Sequence, residues 1–313
     1  MHTLCCNLSS CISSTSQGKR WLQKRTSRDY NFGILRSLQY IFSPSLAFAQ
    51  SMIPRISEID QLPMNLPLPE EQSARQEYIR VLFDGIAHHY DFLNHALSLG
   101  FDVFWRKRAI RLLRSFQPQF VLDVATGTGD LAIEAARTMK AQIIGIDISS
   151  AMLALGNAKV ARKGLSEHIR LQQGSAQALD FHDNTFDSIT VGFGVRNFSD
   201  VLQGLKEMNR VLKPGGVALI LEFSKPRVFP FSQIYSLYFE HLLPLIGGII
   251  SRSRESYQYL PGSVKTFPDD TDFLELMHFA GFTKTSQYRL SFGIATIYLG
   301  TKTTATLTEE QAP

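Results

Sequence analysis

A glycine-rich loop flanked by acidic residues offers the clearest chemistry in this chain. Gly127 and Gly129 frame Thr128 after a short apolar run that contains Asp123, and Asp130 follows at once. Glycines at such a turn let the backbone approach a ligand closely. A dinucleotide fingerprint would need a third glycine, which this loop lacks, and acidic groups repel a pyrophosphate. The loop therefore favours a ligand that carries positive charge.

A further acid, Asp147, ends the next apolar run along the chain. It stands at about the distance expected for an acid that binds both hydroxyls of a ribose. S-adenosylmethionine combines a ribose with a cationic sulfonium and a cationic amino group, so the set predicts this cofactor. The alternative is structural: the glycines make a tight turn, Asp130 and Asp147 cap helices, and Thr128 is an N-cap. That alternative requires several features to coincide by accident.

The elements around the loop alternate between strands and helices. Apolar runs predict strands at residues 119–125, 142–147, 169–174, 186–192, 217–223, 283–290 and 294–300, with a Pro-Gly-Gly turn at 214–216. Helical spacing covers residues 70–116 with a break at Gly100, and then 130–140, 149–162 and 201–212. Such apolar strands, separated by helices, indicate a parallel sheet covered on both faces. Because three residues join the last two strands, these must pair antiparallel. We expect an α/β fold, mostly parallel with an antiparallel closing hairpin.

Charge and cysteine are concentrated at the N-terminus. Residues 1–51 hold six lysines and arginines against one aspartate, together with all three cysteines. Residues 52–313 carry 26 basic and 27 acidic side chains. A near-neutral body argues against nucleic-acid binding. A body without cysteine excludes a thiol nucleophile or a cysteine-ligated metal, and we expect no metal site.

We divide the chain into an extension and linker at 1–69, a domain at 70–303 with an N-terminal helical cap, and a tail at 304–313. The basic, serine-rich composition of the extension is typical of an organelle transit peptide. The alternative is an upstream start, with Met52 or Met64 as the first residue, and we favour it because the rest of the chain resembles a bacterial protein.

Several segments resemble the ubiquinone/menaquinone biosynthesis C-methyltransferase family. They lie at residues 83–94, 121–130, 193–197 (Phe-Gly-Val-Arg-Asn), 212–216 (Leu-Lys-Pro-Gly-Gly), 221–226 (Leu-Glu-Phe-Ser-Lys-Pro) and 256–260. The resemblance spans about residues 80–302 and implies a class I S-adenosylmethionine-dependent methyltransferase fold, which is Rossmann-like.

The resemblance also implies positions that contact the cofactor. These are Thr128, Asp147, the pair Ser175 and Ala176, and Gly192. They join Asp123, Gly127 and Gly129, which the loop itself indicates. Ser175 stands where relatives usually carry Asn or Asp to read the adenine, and Gly192 stands where some carry Ser. Both departures weaken individual contacts rather than the cofactor assignment.

Methylation of a ring carbon needs an electron-rich ring, which a quinol provides and a quinone does not. The protein must align the reactants, exclude water and favour a phenolate. Arg196, at the end of the fourth strand, is a candidate phenolate stabiliser because its charge is fixed. Asp91 is a candidate base or a helix cap. Glu222 is a further catalytic candidate or the structural salt-bridge partner of Arg196.

The resemblance implies a prenylated quinol as the substrate. Tyr-Leu-Pro at 259–261, Phe-Pro-Asp at 267–269 and the stretch 90–94 resemble the menaquinone branch. We therefore expect C-methylation of demethylmenaquinol to menaquinol. The alternative substrate is a polyprenyl-methoxy-benzoquinol of ubiquinone biosynthesis. An alternative of another class is a non-catalytic S-adenosylmethionine-binding scaffold of a quinone-synthesis complex.

An apolar stripe within residues 229–263, with Met277 and Phe279, predicts either a lid on the core or a surface for a prenyl tail at the bilayer. Polar residues and glycines interrupt the stripe, so we expect no transmembrane span. We expect a cytoplasmic protein peripheral to the inner membrane, or an organelle protein if residues 1–51 are a transit peptide. A homodimer and a quinone-synthesis complex are both open.

Overall fold

The computed structural model describes residues 71–237 and 262–304, and both ranges fall within the compact unit Arg55–Pro313. The helices are α1 (Gln72–Leu97), α2 (Phe101–Arg114), α3 (Asp130–Thr138), α4 (Ser150–Arg162), α5 (Val201–Val211), α6 (Phe231–Leu237) and α7 (Thr271–Phe279). The strands are β1 (Phe120–Val124), β2 (Gln142–Asp147), β3 (Ile169–Gln173), β4 (Phe186–Gly192), β5 (Leu212–Phe223), β6 (Phe282–Leu290) and β7 (Ala295–Lys302). The predicted extension and most of the apolar stripe lie outside the described residues.

The seven strands form one sheet in the order β3-β2-β1-β4-β5-β7-β6. The first five are parallel, and β7 runs antiparallel to both β5 and β6. Residues Ser291–Gly293 join β6 and β7 as a single 3-10 turn. The predicted mixed sheet and its closing hairpin are therefore confirmed.

Strand β5 begins earlier than predicted. Leu212 already pairs with Phe186 of β4, and the register shifts before the pairing of Ser188 with Val217. The Pro-Gly-Gly segment is thus an irregularity inside the strand rather than a turn that precedes it. Gly216 is required there, because a Cβ atom would lie 2.8 Å from the carbonyl oxygen of Asp187.

Alternate residues of each central strand enter two separate apolar clusters, so both faces of the sheet are buried. Leu219 and Leu221 pack with the cluster of α2, α3 and α4, whereas Ile220 packs with the cluster of α5 and α7. Met277 is fully buried in this second cluster. Its predicted place on a prenyl-binding surface is therefore wrong, although Phe279 is exposed.

Helices α1 and α2 precede the sheet and are separated at the predicted break, where Gly100, with a φ of 79°, directly precedes α2. Two hydrogen bonds fasten α1 to the start of α4: the Ser149 hydroxyl and the Ala151 amide both donate to Asp84. Within the described ranges, no helix is long and apolar enough to cross a membrane.

Candidate functional site

The strand order reverses between β1 and β4, where ligands bind in open α/β sheets. Two cavities lie there, at the carboxyl ends of the parallel strands. They share the lining residues Tyr90, Ala125, Gly127 and Phe193, and so form one cleft. The first encloses about 620 Å³, a volume that includes the open space at its mouth.

The predicted glycine-rich loop forms the floor of this cleft. Gly127 and Gly129 have φ values of 56° and 80°, which strain residues with a side chain. Two further glycines, Gly145 and Gly156, were not predicted to matter. A Cβ atom on them would lie 2.5 and 2.7 Å from Leu171 and press on the loop. Strand β2 and helix α4 can therefore pack against the loop only where these glycines stand.

Asp147 holds the loop from the end of β2. Its two carboxylate oxygens accept the amide protons of Gly127 at 2.8 Å and Ser149 at 2.9 Å. The residue lines the first cavity, and burial raises the pKa of its carboxyl group. Each carboxylate oxygen has a second lone pair, so Asp147 keeps acceptor capacity for the hydroxyls of a ligand.

Asp123 lies deeper, in the wall of the second cavity. The hydroxyls of Thr126 and Thr190 each donate to its carboxylate at 2.6 Å. Burial raises the pKa of Asp123 to about 6, well above that of an exposed aspartate. A cation in this cavity would favour the ionised form.

Thr128 and Asp91 contact each other beside the second cavity. The Thr128 hydroxyl donates to Asp91 Oδ1 at 2.5 Å and accepts from Lys159 Nζ at 2.9 Å. Thr128 lines the second cavity, but Asp91 is not among the lining residues of either cavity. In this placement Asp91 ties helix α1 to the loop, and its role as a base stays a prediction.

Lys159 is the residue that sequence reasoning missed here. Its ammonium group donates to Asp91 at 2.5 Å, to Asp130 at 2.8 Å and to Thr128, so its three protons are engaged. The signal was its position: Lys159 follows Gly156 by one helical turn on the buried face of α4. A lysine on such a face needs buried acidic partners.

Of the pair Ser175 and Ala176, which was predicted to contact the cofactor, only one residue lines the cleft. Ala176 lines the first cavity, but Ser175 does not. The Ser175 hydroxyl accepts from the Gln76 side chain at 2.9 Å, and Gln76 and Gln177 themselves line the cavity. Helix α1 thus supplies a polar group that the sequence around Ser175 did not indicate.

Gly192 lines the second cavity at the end of β4. A Cβ atom there would lie 3.0 Å from the Leu131 side chain. The structure therefore brings Gly192 to the cleft as predicted, and its small size leaves room for Leu131 at the start of α3.

Arg196 and Glu222 form a buried ion pair beside the cleft. Arg196 Nη1 lies 2.7 Å from Glu222 Oε1, and their side chains are 6% and 0% exposed. The same nitrogen donates to the Phe193 carbonyl oxygen at 2.5 Å, and the guanidinium carbon lies 5.3 Å from the Phe223 ring centroid. The salt-bridge interpretation of Glu222 is therefore the one that the structure shows, and Glu222 lies behind Arg196 rather than in the cleft.

Tyr90 stands where the two cavities meet. Burial raises the pKa of its phenol, whereas a hydrogen bond with Asn94 and the positive charge of Arg196 lower it. Burial is the largest of these effects, so the pKa of Tyr90 is raised overall. Tyr90 and Asn94 lie on the same part of α1 as Asp91, and both line the cleft whereas Asp91 does not.

The residues of the cleft fit S-adenosylmethionine. The first cavity combines Asp147 with apolar walls, which suits a ribose and a flat base. These walls comprise Ile79, Phe83, Ile148, Met152 and Phe198. The second cavity presents the carboxylates of Asp123 and Asp130, which suit cationic groups.

Comparison with known proteins agrees with this geometry. The model of the ubiE/COQ5 methyltransferase family matches residues 71–302. A demethylmenaquinone methyltransferase of Bacteroides fragilis is 45% identical over 73% of this chain and 94% of its own length. A ubiquinone/menaquinone biosynthesis C-methyltransferase of Geobacter sulfurreducens is 50% identical over 72% of this chain and 89% of its own length.

A solved structure shares the fold at low identity. It is a SAM-dependent methyltransferase of Thermotoga maritima, described as a possible histamine N-methyltransferase. The TM-score is 0.52 at 19% identity, over 72% of this chain and 99% of that one. The fold, the cleft and the sequence relatives agree: this chain belongs to the ubiE/COQ5 methyltransferase family and is an S-adenosylmethionine-dependent methyltransferase.

Proposed function

We propose that this enzyme methylates a ring carbon of demethylmenaquinol to give menaquinol. In that reaction the bound cofactor supplies an electrophilic methyl group and becomes S-adenosylhomocysteine, while the ring carbon gains the methyl group and loses its proton. The relative from Bacteroides fragilis bears the name of this activity. The near relative from Geobacter sulfurreducens is named for both quinones, so a polyprenyl-methoxy-benzoquinol is the alternative acceptor.

The observation that carries the proposal is the position of Arg196, whose guanidinium donates to the carbonyl oxygen of Phe193, a residue that lines both cavities. A fixed positive charge beside the cleft favours an ionised quinol hydroxyl over a neutral one. Glu222 fixes the Arg196 guanidinium from behind, so the charge is positioned before the substrate arrives. Tyr90 and Asn94 then offer hydrogen bonds to that hydroxyl.

The residues that hold the cofactor follow from the cleft. Asp147 accepts the ribose hydroxyls, Ala176 and Gln177 flank the base, and Asp123 faces the cationic end. Gly127 lets the backbone approach the ligand between the two cavities.

The segment at 267–269 that resembles the menaquinone branch lines neither cavity of the cleft. This Phe-Pro-Asp segment has a structural role, because Phe267 is buried and Asp269 accepts the Lys225 amide proton at 2.9 Å. The segment thus anchors the loop after β5.

We further propose that the enzyme acts at a bilayer surface, where a prenylated quinol resides. Val228, Phe229 and Phe292 expose 58, 78 and 55% of their surface. Phe231, two residues after Phe229, stacks on Phe292 with ring centroids 3.7 Å apart. This contact brings the two segments together. Arg227, beside them, is 57% exposed while it pairs with Asp269 and Asp270, and its exposed charge attracts anionic headgroups. This surface lies at the edge of the sheet that carries the cleft.

Vesicle binding tests this surface. Phe229→Ser and Phe292→Ser should reduce cosedimentation with anionic vesicles. Phe116→Ser is the matched control, because Phe116 is 48% exposed but precedes β1, away from this surface. Equal binding by all three variants would refute the surface. The membrane is the inner membrane if translation starts downstream of residue 51, and an organelle membrane if residues 1–51 are a transit peptide.

The substrate experiment uses the purified full chain under reducing conditions. Demethylmenaquinol and the benzoquinol, with equal prenyl tails, compete for labelled methyl groups. Preferential labelling of the naphthoquinol supports the proposal. Preference for the benzoquinol moves the enzyme to ubiquinone biosynthesis, and labelling of neither ring favours a non-catalytic scaffold.

A further inference from the structure

Arg106 on helix α2 is a basic side chain in the wall of the second cavity. Its side chain is 14% exposed and shares that wall with Asp123, Thr126 and Gly127. Among the described residues that line the cavity, Arg106 is the one with a positive charge. A guanidinium held so far from water needs anionic partners.

One nitrogen of Arg106 makes the contacts with protein that the structure shows. Nη2 donates to Asp102 Oδ2 at 2.6 Å and lies 3.4 Å from Asp130 Oδ2. Asp102 is held in turn by the Ser98 hydroxyl at 2.8 Å and by His95. Within the described residues, neither Nε nor Nη1 has a hydrogen bond to protein. The guanidinium is therefore held through Nη2, and Nε and Nη1 keep their protons for hydrogen bonds to a ligand.

The charges of the second cavity complement a zwitterion. The amino-acid end of S-adenosylmethionine carries an ammonium and a carboxylate. Asp123 and Asp130 account for the ammonium but repel the carboxylate. Lys159 cannot receive the carboxylate, because Asp91, Thr128 and Asp130 engage its three protons. Arg106 is the remaining cation of this wall.

We propose that Arg106 binds the α-carboxylate of S-adenosylmethionine, through the nitrogens that Asp102 leaves free. Asp102 is then a positioning residue, which holds the guanidinium in the wall of the cavity. The pair of Asp123 and Arg106 makes the second cavity specific for an amino-acid group. The adenosine end is bound independently by the first cavity.

Two ligands that differ only in the carboxylate test this assignment by calorimetry. S-adenosylmethionine and decarboxylated S-adenosylmethionine are titrated into the full chain, without quinol, so the proposed substrate does not enter. Arg106→Met should weaken S-adenosylmethionine about 10- to 100-fold, the scale of a lost charged hydrogen bond. The same variant should bind the decarboxylated ligand as tightly as the wild type or more tightly, because Asp102 and Asp130 are then unbalanced.

Arg108→Met is the matched control, since Arg108 lies two residues along the same helix and is exposed. It should leave both affinities unchanged. Arg106→Lys keeps the charge and should bind S-adenosylmethionine more tightly than Arg106→Met does. If Arg106→Met fails to fold, Arg106→Lys is titrated with the same two ligands in its place. Equal weakening of both ligands would make Arg106 a structural residue and overturn the proposal. Unchanged affinity for both ligands would overturn it as well.

Discussion

The sheet side and the helix side of the cleft are built on different principles. On the sheet side, Asp123 and the Arg196–Glu222 pair are sealed within the ends of the strands. On the helix side, Lys159 of α4 pairs with Asp91 of α1 and Asp130 of α3, which are 46% and 35% exposed. A sealed ion pair is costly to break because one charge stays without water. A partly exposed network costs less to break. The sheet side should therefore govern stability, and the helix side should govern how firmly α1 closes over the cofactor.

The largest expected effect is on the sheet side. Arg196→Ala leaves the fully buried Glu222 without its partner and should lower the free energy of unfolding by about 3–5 kcal/mol. Denaturant titration measures this. The control is Lys213→Ala, which removes an exposed partner of Asp187 and should cost about 0–1 kcal/mol. Equal losses in the two variants would remove the distinction between buried and exposed pairs.

Asp147 should matter for the ligand more than for the fold. Asp147→Ala removes the ribose acceptor together with the bonds to Gly127 and Ser149. Binding of S-adenosylhomocysteine should weaken by about 1.5–3 kcal/mol, the scale of hydrogen bonds to a charged group. Calorimetry that finds the wild-type affinity would show that the first cavity does not bind the ribose through this acid.

Lys159 tests the helix side. Lys159→Met should destabilise the protein by about 1–2 kcal/mol, less than Arg196→Ala, because water reaches Asp91 and Asp130. Hydrogen exchange should accelerate in α1 but not in β1 or β4. Lys163→Met, on the exposed end of the same helix, is the control. Uniform acceleration across the sheet would mean that Lys159 supports the whole fold.

The smallest effect concerns pH. The pKa of Asp123 is raised to about 6, so its carboxyl is mostly protonated at pH 5 and ionised at pH 7. A cationic ligand prefers the ionised form, so affinity for S-adenosylmethionine should rise about tenfold from pH 5 to 7 and then level off. In Asp123→Asn that rise should vanish. A rise that persists in this variant would belong to another group.

The sequence predicted more of the structure on the sheet side of the cleft than on the helix side. The strands Gln142–Asp147 and Phe186–Gly192 match their predicted bounds, because apolar runs bounded by turns are local signals. The start of β5 was missed, since its first pair with β4 depends on an irregular register.

Contacts between distant segments explain the rest. Lys159 and Asp91 are 68 positions apart, and Arg106 acts through the packing of α2 against α3. No local sequence pattern shows that such residues are in contact. A lysine on a buried helix face does indicate that acidic partners lie nearby. Met277 was misplaced for the same reason, because its burial depends on α7 packing against the sheet.

The central claim is transfer of a methyl group to a ring carbon, and the position of that group tests it most directly. Purified full chain is incubated with reduced demethylmenaquinol and S-adenosylmethionine labelled with ¹³C in the methyl group, and the extracted product is examined by NMR. We predict a carbon-bound methyl resonance on the quinone ring, lost in Asp147→Ala at limiting cofactor. An oxygen-bound methyl resonance, or label that stays on sulfur, would contradict C-methylation by this enzyme.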